Sequence, residues 1–236
     1  EVGCLGGQAL TEQLAARGAR PGLAVIGEPT SMQVIEGHKG CCEYTTRFTG
    51  LAGHGSAPDR GVNAVSYAVR YAARLMELAA RLRAEAPADS RFDPPWTTVN
   101  IGRLSGGYAH NVIPEEAELE WEMRPVVWAD RARVTAEMAD FAARTLLPEM
   151  RAVHAEAEIR TETVGEVPGL EPMEPNAARD LVAELTGANG AGTVAFGTEA
   201  GLFQGLGCSA VVCGPGSIEQ AHKPDEWIAL DQLSAC

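Results

Sequence analysis

The amino-acid sequence predicts an α/β fold in which one α/β unit is interrupted by an inserted β-α-β-β-α-β domain. Short apolar runs at residues 23–26 and 209–213 are typical of buried strands, and a loop with Gly and Pro follows each run. Between them, residues 38–163 alternate strand and helix patterns in the order of a ferredoxin-like sandwich. We therefore expect the outer unit to comprise residues 1–37 and 164–236.

Hydrophobic spacing predicts the remaining elements. In the outer unit we expect helices at residues 8–17, 176–185 and 202–206, a strand at 192–196, and the first turns of a helix at 229–236. In the insertion we expect strands at 40–49, 97–104, 117–123 and 154–163, and helices at 62–83 and 131–147, with Pro148 just beyond the second helix. Both ends of the chain fall inside predicted elements, so we expect a truncated part of a longer protein.

Composition narrows the class of protein. The chain has 236 residues, of which 45% are hydrophobic, so it has enough apolar residues for a sizeable core. A formal charge of -13 argues against nucleic acid or an anionic membrane as a partner. The charge suits a substrate that carries an amine, although a solvated acidic surface is the commoner explanation. Six cysteines without a CxxC pair indicate a reducing compartment, the cytoplasm.

Candidate metal ligands follow the two apolar runs. Ligands of open α/β sheets bind where strands end, and Glu28 and His222 lie in the loops after residues 23–26 and 209–213. Each has an ordinary alternative: Glu28 would cap the turn through Thr30 and Ser31, and His222 would be a surface histidine. Glu1, taken alone, is typical of an acid at the start of a helix.

Three further polar residues have a setting that allows a function. His54 lies between two glycines, Asn111 follows a Gly-rich turn, and Arg124 ends a predicted strand. The alternatives are an exposed turn histidine, turn chemistry for the asparagine, and an ion pair of Arg124 with Glu120 or Glu122. The remaining histidines of the sequence, His38, His110 and His154, have no comparable setting.

Seven motifs, taken in chain order, resemble the acetylornithine deacetylase branch of the di-zinc aminoacylase/carboxypeptidase superfamily. They are residues 27–31 (GEPTS), 52–56 (AGHGS), 61–64 (GVNA), 111–114 (NVIP), 123–125 (MRP), 197–200 (GTEA) and the His222 loop. The resemblance extends over nearly the whole chain. It implies a catalytic domain of the di-zinc exopeptidase type, formed by the outer unit, and a lid and dimerisation domain at residues 38–163.

The resemblance also implies a metal site. Glu28 would bind one zinc ion, and Glu1 with His222 would bind the other, with cobalt as an alternative metal. The general base and two further ligands of the family would precede Glu1, so this polypeptide alone is expected to be inactive.

The same resemblance implies roles toward a substrate. His54 would reach the site of the partner subunit in a homodimer and stabilise the oxyanion. The residues implied to hold the substrate α-carboxylate are Asn111, Arg124, Gly197 and Thr198. Going beyond the motifs, we hypothesise that Glu199 reads the side-chain ammonium of acetylornithine; the alternative is an acid at a helix start.

The function expected is removal of the acetyl group from N2-acetyl-L-ornithine, in arginine biosynthesis. One alternative is a related N-acyl amino acid hydrolase such as a succinyl-diaminopimelate desuccinylase. The other is a non-catalytic truncated module that keeps the dimerisation domain and binds a partner or an amino acid.

Overall fold

The computed structural model describes residues 3–221 and 223–236. Within them, helices α1 to α7 are Leu5–Ala16, Ala64–Ala84, Ala129–Phe141, Leu147–Val153, Ala177–Thr186, Ala200–Gly205 and Leu230–Ala235. Strands β1 to β10 are Leu23–Ile26, Ile35–His38, Cys41–Thr49, Gly53–His54, Thr98–Gly106, Val112–Ile113, Glu116–Arg124, Glu158–Val167, Gly192–Val194 and Ser209–Val212. None of these helices has both the length and the hydropathy that a bilayer-spanning segment requires.

The chain divides into two compact units. Unit 1 comprises the described residues of Glu1–Cys41, Asp89–Pro95 and Val167–Cys236, and unit 2 comprises Cys42–Ala88 and Trp96–Glu166. The short segment Asp89–Pro95 belongs to unit 1 although it connects two elements of unit 2, α2 and β5.

Unit 1 is built on a four-stranded sheet with the strand order β1-β10-β2-β9. Strand β1 is parallel to β10, β2 is antiparallel to β10, and β9 is parallel to β2. Strand β10 was expected to be buried, and it is: Ala210, Val211 and Val212 are each fully shielded from solvent. The parallel pairing of β1 and β10 brings the carboxyl ends of two distant segments together.

The prediction that β1 is a buried strand is wrong. Its side chains are only partly covered, with Leu23 43% and Val25 50% exposed. The physical reason is its position, because β1 pairs with β10 alone in the described sheet and is therefore an edge strand.

Strand β2 was not predicted, because its residues Ile35, Glu36, Gly37 and His38 do not form an apolar run. All four are nevertheless buried. The Glu36 carboxylate is compensated by two arginines, since Arg91 lies 2.6 Å and Arg179 3.0 Å from its oxygens. A buried charge that is paired in this way is tolerated in a sheet interior, where an isolated one is not.

Unit 2 contains a four-stranded sheet with the order β5-β7-β3-β8 and the two-stranded ribbon β4-β6. Strand β7 pairs antiparallel with β3 and with β5. Tyr44 and Trp121 stack with ring centroids 4.3 Å apart on the buried face. Helix α2 packs on this face with an apolar stripe at helical spacing: Ala64, Ala68, Tyr71, Ala72, Leu75, Leu78 and Leu82. The predicted elements at residues 40–49, 62–83, 97–104 and 117–123 are confirmed with small shifts at their ends.

Two predictions at the end of the second long helix are wrong. The helix was expected to stop at residue 147, but a π-helical turn, Ala142–Leu146, connects α3 to α4, which continues to Val153. Pro148 directly follows the π-helical turn at the start of α4, and such a local widening lets a helix continue past a proline that cannot donate to the regular ladder. His154 therefore follows a helix, and the strand begins only at Glu158.

We predict that Leu75→Ala lowers the free energy of unfolding by about 2–5 kcal/mol, because it leaves a cavity in the interior of unit 2. Leu75 is fully buried, whereas its neighbour Met76 is 65% exposed on the same helix. Met76→Ala is the matched control and should change stability by less than about 0.5 kcal/mol. Urea unfolding followed by tryptophan fluorescence measures both, and equal losses would contradict the packing described for α2.

Candidate functional site

Glu28 and the loop that leads to His222 lie side by side at one edge of the unit 1 sheet. Glu28 follows β1 and Gly214 follows β10, and the two strands run parallel in register from Leu23 opposite Ser209 to Ile26 opposite Val212. The Cys213 N–H donates to the Ile26 carbonyl at 2.9 Å, which extends the pairing into the loops. The carboxyl edge of a parallel strand pair is the common ligand-binding position in open sheets.

Main-chain contacts between the two loops are close. The N–H groups of Thr30 and Met32 donate to the Gly214 carbonyl at 3.2 and 2.9 Å, and the Ser31 N–H donates to Gly216 at 2.7 Å. A side chain on Gly214 would place its Cβ 2.5 Å from the Glu28 carbonyl oxygen, so only glycine permits this approach. The N–H groups of Thr30 and Ser31 thus donate to carbonyl oxygens, which argues against Glu28 as the side-chain cap of this turn.

The other two predicted metal ligands, Glu1 and His222, lie outside the described residues. Among the residues the structure describes, no group of three His, Cys, Asp or Glu side chains is placed to hold a metal ion. Glu28 is half-buried, and its carboxylate is a donor type that suits zinc.

His54 and Asn111 lie together in unit 2. His54 is the last residue of β4, which pairs with β6, and the Gly55 N–H donates to the Asn111 carbonyl at 2.7 Å. Both side chains are exposed.

Ser56 determines the tautomer of His54. The Ser56 N–H lies 3.2 Å and its Oγ 2.7 Å from His54 Nδ1. An amide N–H only donates, so Nδ1 accepts and the proton of the neutral ring is on Nε2. The exposed edge of His54 is therefore a hydrogen-bond donor. Sequence reasoning did not assign this role to Ser56, although the spacing of two residues was available.

Arg124 is the last residue of β7 and forms an ion pair within its own strand. Its Nε and Nη2 donate to Glu122 Oε2 at 3.1 and 2.7 Å. Of the two ion pairs considered from the sequence, the structure contains the one with Glu122, whereas Glu120 contacts Arg103. A substrate carboxylate that binds Arg124 would share the guanidinium group with Glu122 or displace Glu122 from it.

The 197–199 loop lies in unit 1 and precedes α6. Thr198 is 1% exposed, and its hydroxyl contacts His38 Nε2 at 2.9 Å. Glu199 is half-buried at the N-cap position of α6 but makes no capping hydrogen bond with its side chain. It packs instead on α1, where a Cβ on Gly7 would lie 2.6 Å from Glu199 Cγ. Glu199 therefore lies where the alternative of an acid at a helix start places it, although its side chain does not cap the helix.

His38 is a buried polar residue that sequence reasoning treated as having no notable setting. It is 1% exposed, and burial lowers its pKa to about 4, against a smaller opposing effect of the Lys39 carbonyl. Lys39 is also buried, and burial lowers its pKa although Asp93 opposes the shift. The available signal was three polar residues within four positions, Glu36, His38 and Lys39, since such residues are buried only where partners satisfy them.

Comparison with known proteins shows what the chain is similar to. Residues 36–150 match the M20 peptidase dimerisation domain. The acetylornithine deacetylase of Myxococcus xanthus is 34% identical over 237 residues, covering 100% of this chain and 60% of that protein. The chain is therefore similar to M20 peptidases over its dimerisation segment and to an acetylornithine deacetylase over its whole length. The acetylornithine deacetylase of Proteus mirabilis is 38% identical over 214 residues, covering 89% of this chain and 52% of that protein. The resemblance drawn from the seven motifs is thus confirmed.

Solved structures of two peptidases share the mixed α/β fold of this chain. Aminopeptidase PepT from Bacillus cereus matches with a TM-score of 0.62 at 19% identity, covering 89% of this chain and 53% of that chain. The dipeptidase Dug1p from Saccharomyces cerevisiae matches with a TM-score of 0.61 at 16% identity, covering 99% of this chain and 60% of that chain. The chain spans between about half and 60% of the length of the relatives it matches.

We predict that His38 makes stability depend on pH. Its pKa is about 4 in the fold and 6.5 in the unfolded chain, so the neutral ring is favoured by folding. The stabilisation is complete above pH 6.5 and is lost as the pH falls toward 4, with about 2 kcal/mol of unfolding free energy lost between pH 7 and pH 5.

Urea unfolding of the protein and of His38→Gln at several pH values measures this contribution as a difference in slope. His110→Gln changes an exposed histidine and should keep the slope of the unmodified protein. A His38→Gln protein with an unchanged slope would refute the assignment.

Proposed function

We propose that this chain is part of a metal-dependent amidohydrolase that converts N2-acetyl-L-ornithine to L-ornithine and acetate, a step of arginine biosynthesis. The observation that carries the proposal is the contact between the Glu28 loop and the loop that leads to His222. Two segments that are far apart in sequence meet beside Glu28 at one sheet edge, which is what a metal site with ligands from both segments would require. The similarity to acetylornithine deacetylases supports the substrate class.

Zinc is the proposed metal. Glu28 would bind one ion, and Glu1 with His222 would bind the other, because carboxylate and imidazole are the ligands zinc uses in open sites. Cobalt favours the same ligands and is the alternative. When bound, the metal supplies a water of lowered pKa, so that hydroxide is available near neutral pH.

His54 is the proposed stabiliser of the oxyanion that develops on the acetyl carbonyl. The Nδ1 contact with the Ser56 N–H leaves Nε2–H as an exposed donor. A fixed donor aimed at developing charge is the usual means of stabilising such a transition state.

The substrate α-carboxylate is proposed to bind to the residues implied by the family, Asn111, Arg124, Gly197 and Thr198. Arg124 offers a planar donor fork that can match a carboxylate. In this structure its Nε and Nη2 both donate to one oxygen of Glu122, Oε2. Since Thr198 is buried, its contribution to substrate binding would come from its main chain.

Residues 38–163 are the proposed lid and dimerisation domain, and residues 1–37 with 164–236 form part of the proposed di-zinc catalytic domain. The strand order β5-β7-β3-β8 supports a ferredoxin-like arrangement for this insertion. The match to a peptidase dimerisation domain supports a homodimer, in which His54 would serve the partner subunit. The proposed location is the cytoplasm, because the six cysteines of the sequence include no CxxC pair, as is usual in a reducing compartment.

A variant of Glu28 tests the proposed metal site. In the complete natural protein loaded with zinc, Glu28→Gln should lower acetylornithine turnover more than about 100-fold and reduce bound zinc, because the amide is a poor zinc ligand. Glu12→Gln, at an exposed position of α1, is the matched control. Acetate release and metal analysis measure the two effects.

A panel of N-acyl amino acids in the same assay separates the candidate functions. Preference for N-succinyl-diaminopimelate would indicate the desuccinylase, and absence of turnover with every substrate would indicate the non-catalytic module. Either result would overturn the proposed reaction.

A variant of Glu199 tests whether this carboxylate binds the side-chain ammonium of the substrate. Glu199→Gln should lower the ratio of kcat/KM for acetylornithine over N-acetylmethionine about fivefold, because a partly exposed ion pair contributes up to about 1 kcal/mol. Glu184→Gln, at an exposed position of α5, should leave the ratio unchanged. An unaltered ratio in Glu199→Gln would show that another group reads the ammonium.

A further inference from the structure

A buried hydrogen-bonded pair lies beneath the 197–199 loop. His38, the last residue of β2, and Thr198 are each 1% exposed, and 2.9 Å separates His38 Nε2 from Thr198 Oγ1. The two residues are far apart in sequence and belong to the same compact unit. Neither is a proposed metal ligand.

The partners of the pair determine the direction of each hydrogen bond. His38 Nδ1 lies 2.9 Å from the Lys39 carbonyl oxygen, which only accepts, so Nδ1 carries the proton. In the neutral ring Nε2 is then an acceptor, and the Thr198 hydroxyl donates to it. The same hydroxyl accepts from the Ala200 N–H at 3.1 Å.

The Thr198 hydroxyl is therefore fully used inside the protein. Its one proton goes to His38, and its oxygen accepts from the first residue of α6. A buried hydroxyl with both functions satisfied has no proton to donate to a substrate carboxylate.

The pair connects the loop to residues that are themselves held in place. Gly197 packs on the Lys39 carbonyl and on Cys41, where a Cβ would lie at 3.8 and 3.5 Å. Preceding β2 residues are anchored by the ion pairs of Glu36 with Arg91 and Arg179. The loop thus contacts β2 through the Thr198 side chain, and it contacts the residues that follow β2 through Gly197.

We propose that His38 is a positioning residue that holds the Gly197–Thr198–Glu199 loop in its substrate-binding conformation by accepting a hydrogen bond from the Thr198 hydroxyl. This inference rests on the proposed function, in which that loop contacts the substrate. Thr198 then acts through His38 and its backbone, and Glu199 reaches the substrate only while this hydrogen bond persists.

Paired substitutions in the complete, metal-loaded protein test the proposal. His38→Leu and Thr198→Val each remove the hydrogen bond at similar volume and should raise KM for acetylornithine about tenfold, with kcat changed less than about twofold. His38→Gln keeps an acceptor and Thr198→Ser keeps the hydroxyl, so both should return KM toward that of the unmodified enzyme.

The double variant His38→Leu/Thr198→Val gives the sharpest comparison. If the two residues act as one unit, its KM equals that of either single variant, because the second substitution removes nothing further. Multiplied effects would show independent roles and overturn the proposal. So would unchanged KM values in both single variants.

A measurement that does not depend on substrate turnover tests the role of His38 separately from the proposed deacetylation. Nitrogen-15 spectra of histidine-labelled protein distinguish a protonated from an unprotonated ring nitrogen. We expect one ring with Nδ1 protonated and Nε2 unprotonated at pH 7, whose Nε2 signal shifts in Thr198→Val and is lost in His38→Gln. A ring with the opposite tautomer would refute the pair, whereas absent deacetylation with the expected spectrum would refute the proposed reaction alone.

Discussion

The parallel pairing of β1 with β10 is the constraint on which the candidate site depends. Four residues of each strand are in register, and the loops that follow continue the contact through the Gly214 carbonyl. Parallel strands cannot be joined by a tight turn, so the chain leaves β1, forms most of the remaining structure and returns as β10. The pairing converts a large separation in sequence into a main-chain contact beside Glu28. The lack of a Cβ at Gly214 is what allows the two loops to approach so closely.

A second constraint is the burial of charge in β2. Glu36 is almost fully buried and contacts arginines from two other segments, Arg91 and Arg179. Removing either arginine would leave a poorly compensated carboxylate in the sheet interior, which costs more than the pair itself contributes. The arrangement therefore specifies where the Asp89–Pro95 segment and α5 lie relative to β2 within unit 1. It also provides the rigid base from which His38 reaches Thr198.

Apolar patterning predicted the elements whose burial is driven by apolar side chains. The stripe of α2 from Ala64 to Leu82 and the run of β10 are of this kind, and both are observed. Patterning failed where the burial or the extent of an element depends on its position in the sheet, on local helix geometry or on polar partners. Leu23 and Val25 lie in an apolar strand at a sheet edge. The helix continues past Pro148 because a π-helical turn directly precedes it. Strand β2 was missed because its burial depends on arginines from elsewhere in the chain. The motifs predicted Thr198 as a substrate-binding residue, but only the distance to His38 indicates how its hydroxyl is used.

The two histidines His38 and His54 illustrate how main-chain partners assign opposite roles to one side-chain type. At His54 an amide N–H faces Nδ1, so the proton moves to Nε2 and the exposed edge donates. At His38 a carbonyl oxygen faces Nδ1, so the proton stays there and the buried edge accepts. A donor at an exposed edge suits a developing oxyanion, whereas a buried acceptor suits the restraint of a loop hydroxyl. Neither assignment follows from the identity of the residue. Each follows from which backbone group the local turn or strand end directs at Nδ1, and so the fold determines the chemistry of each ring.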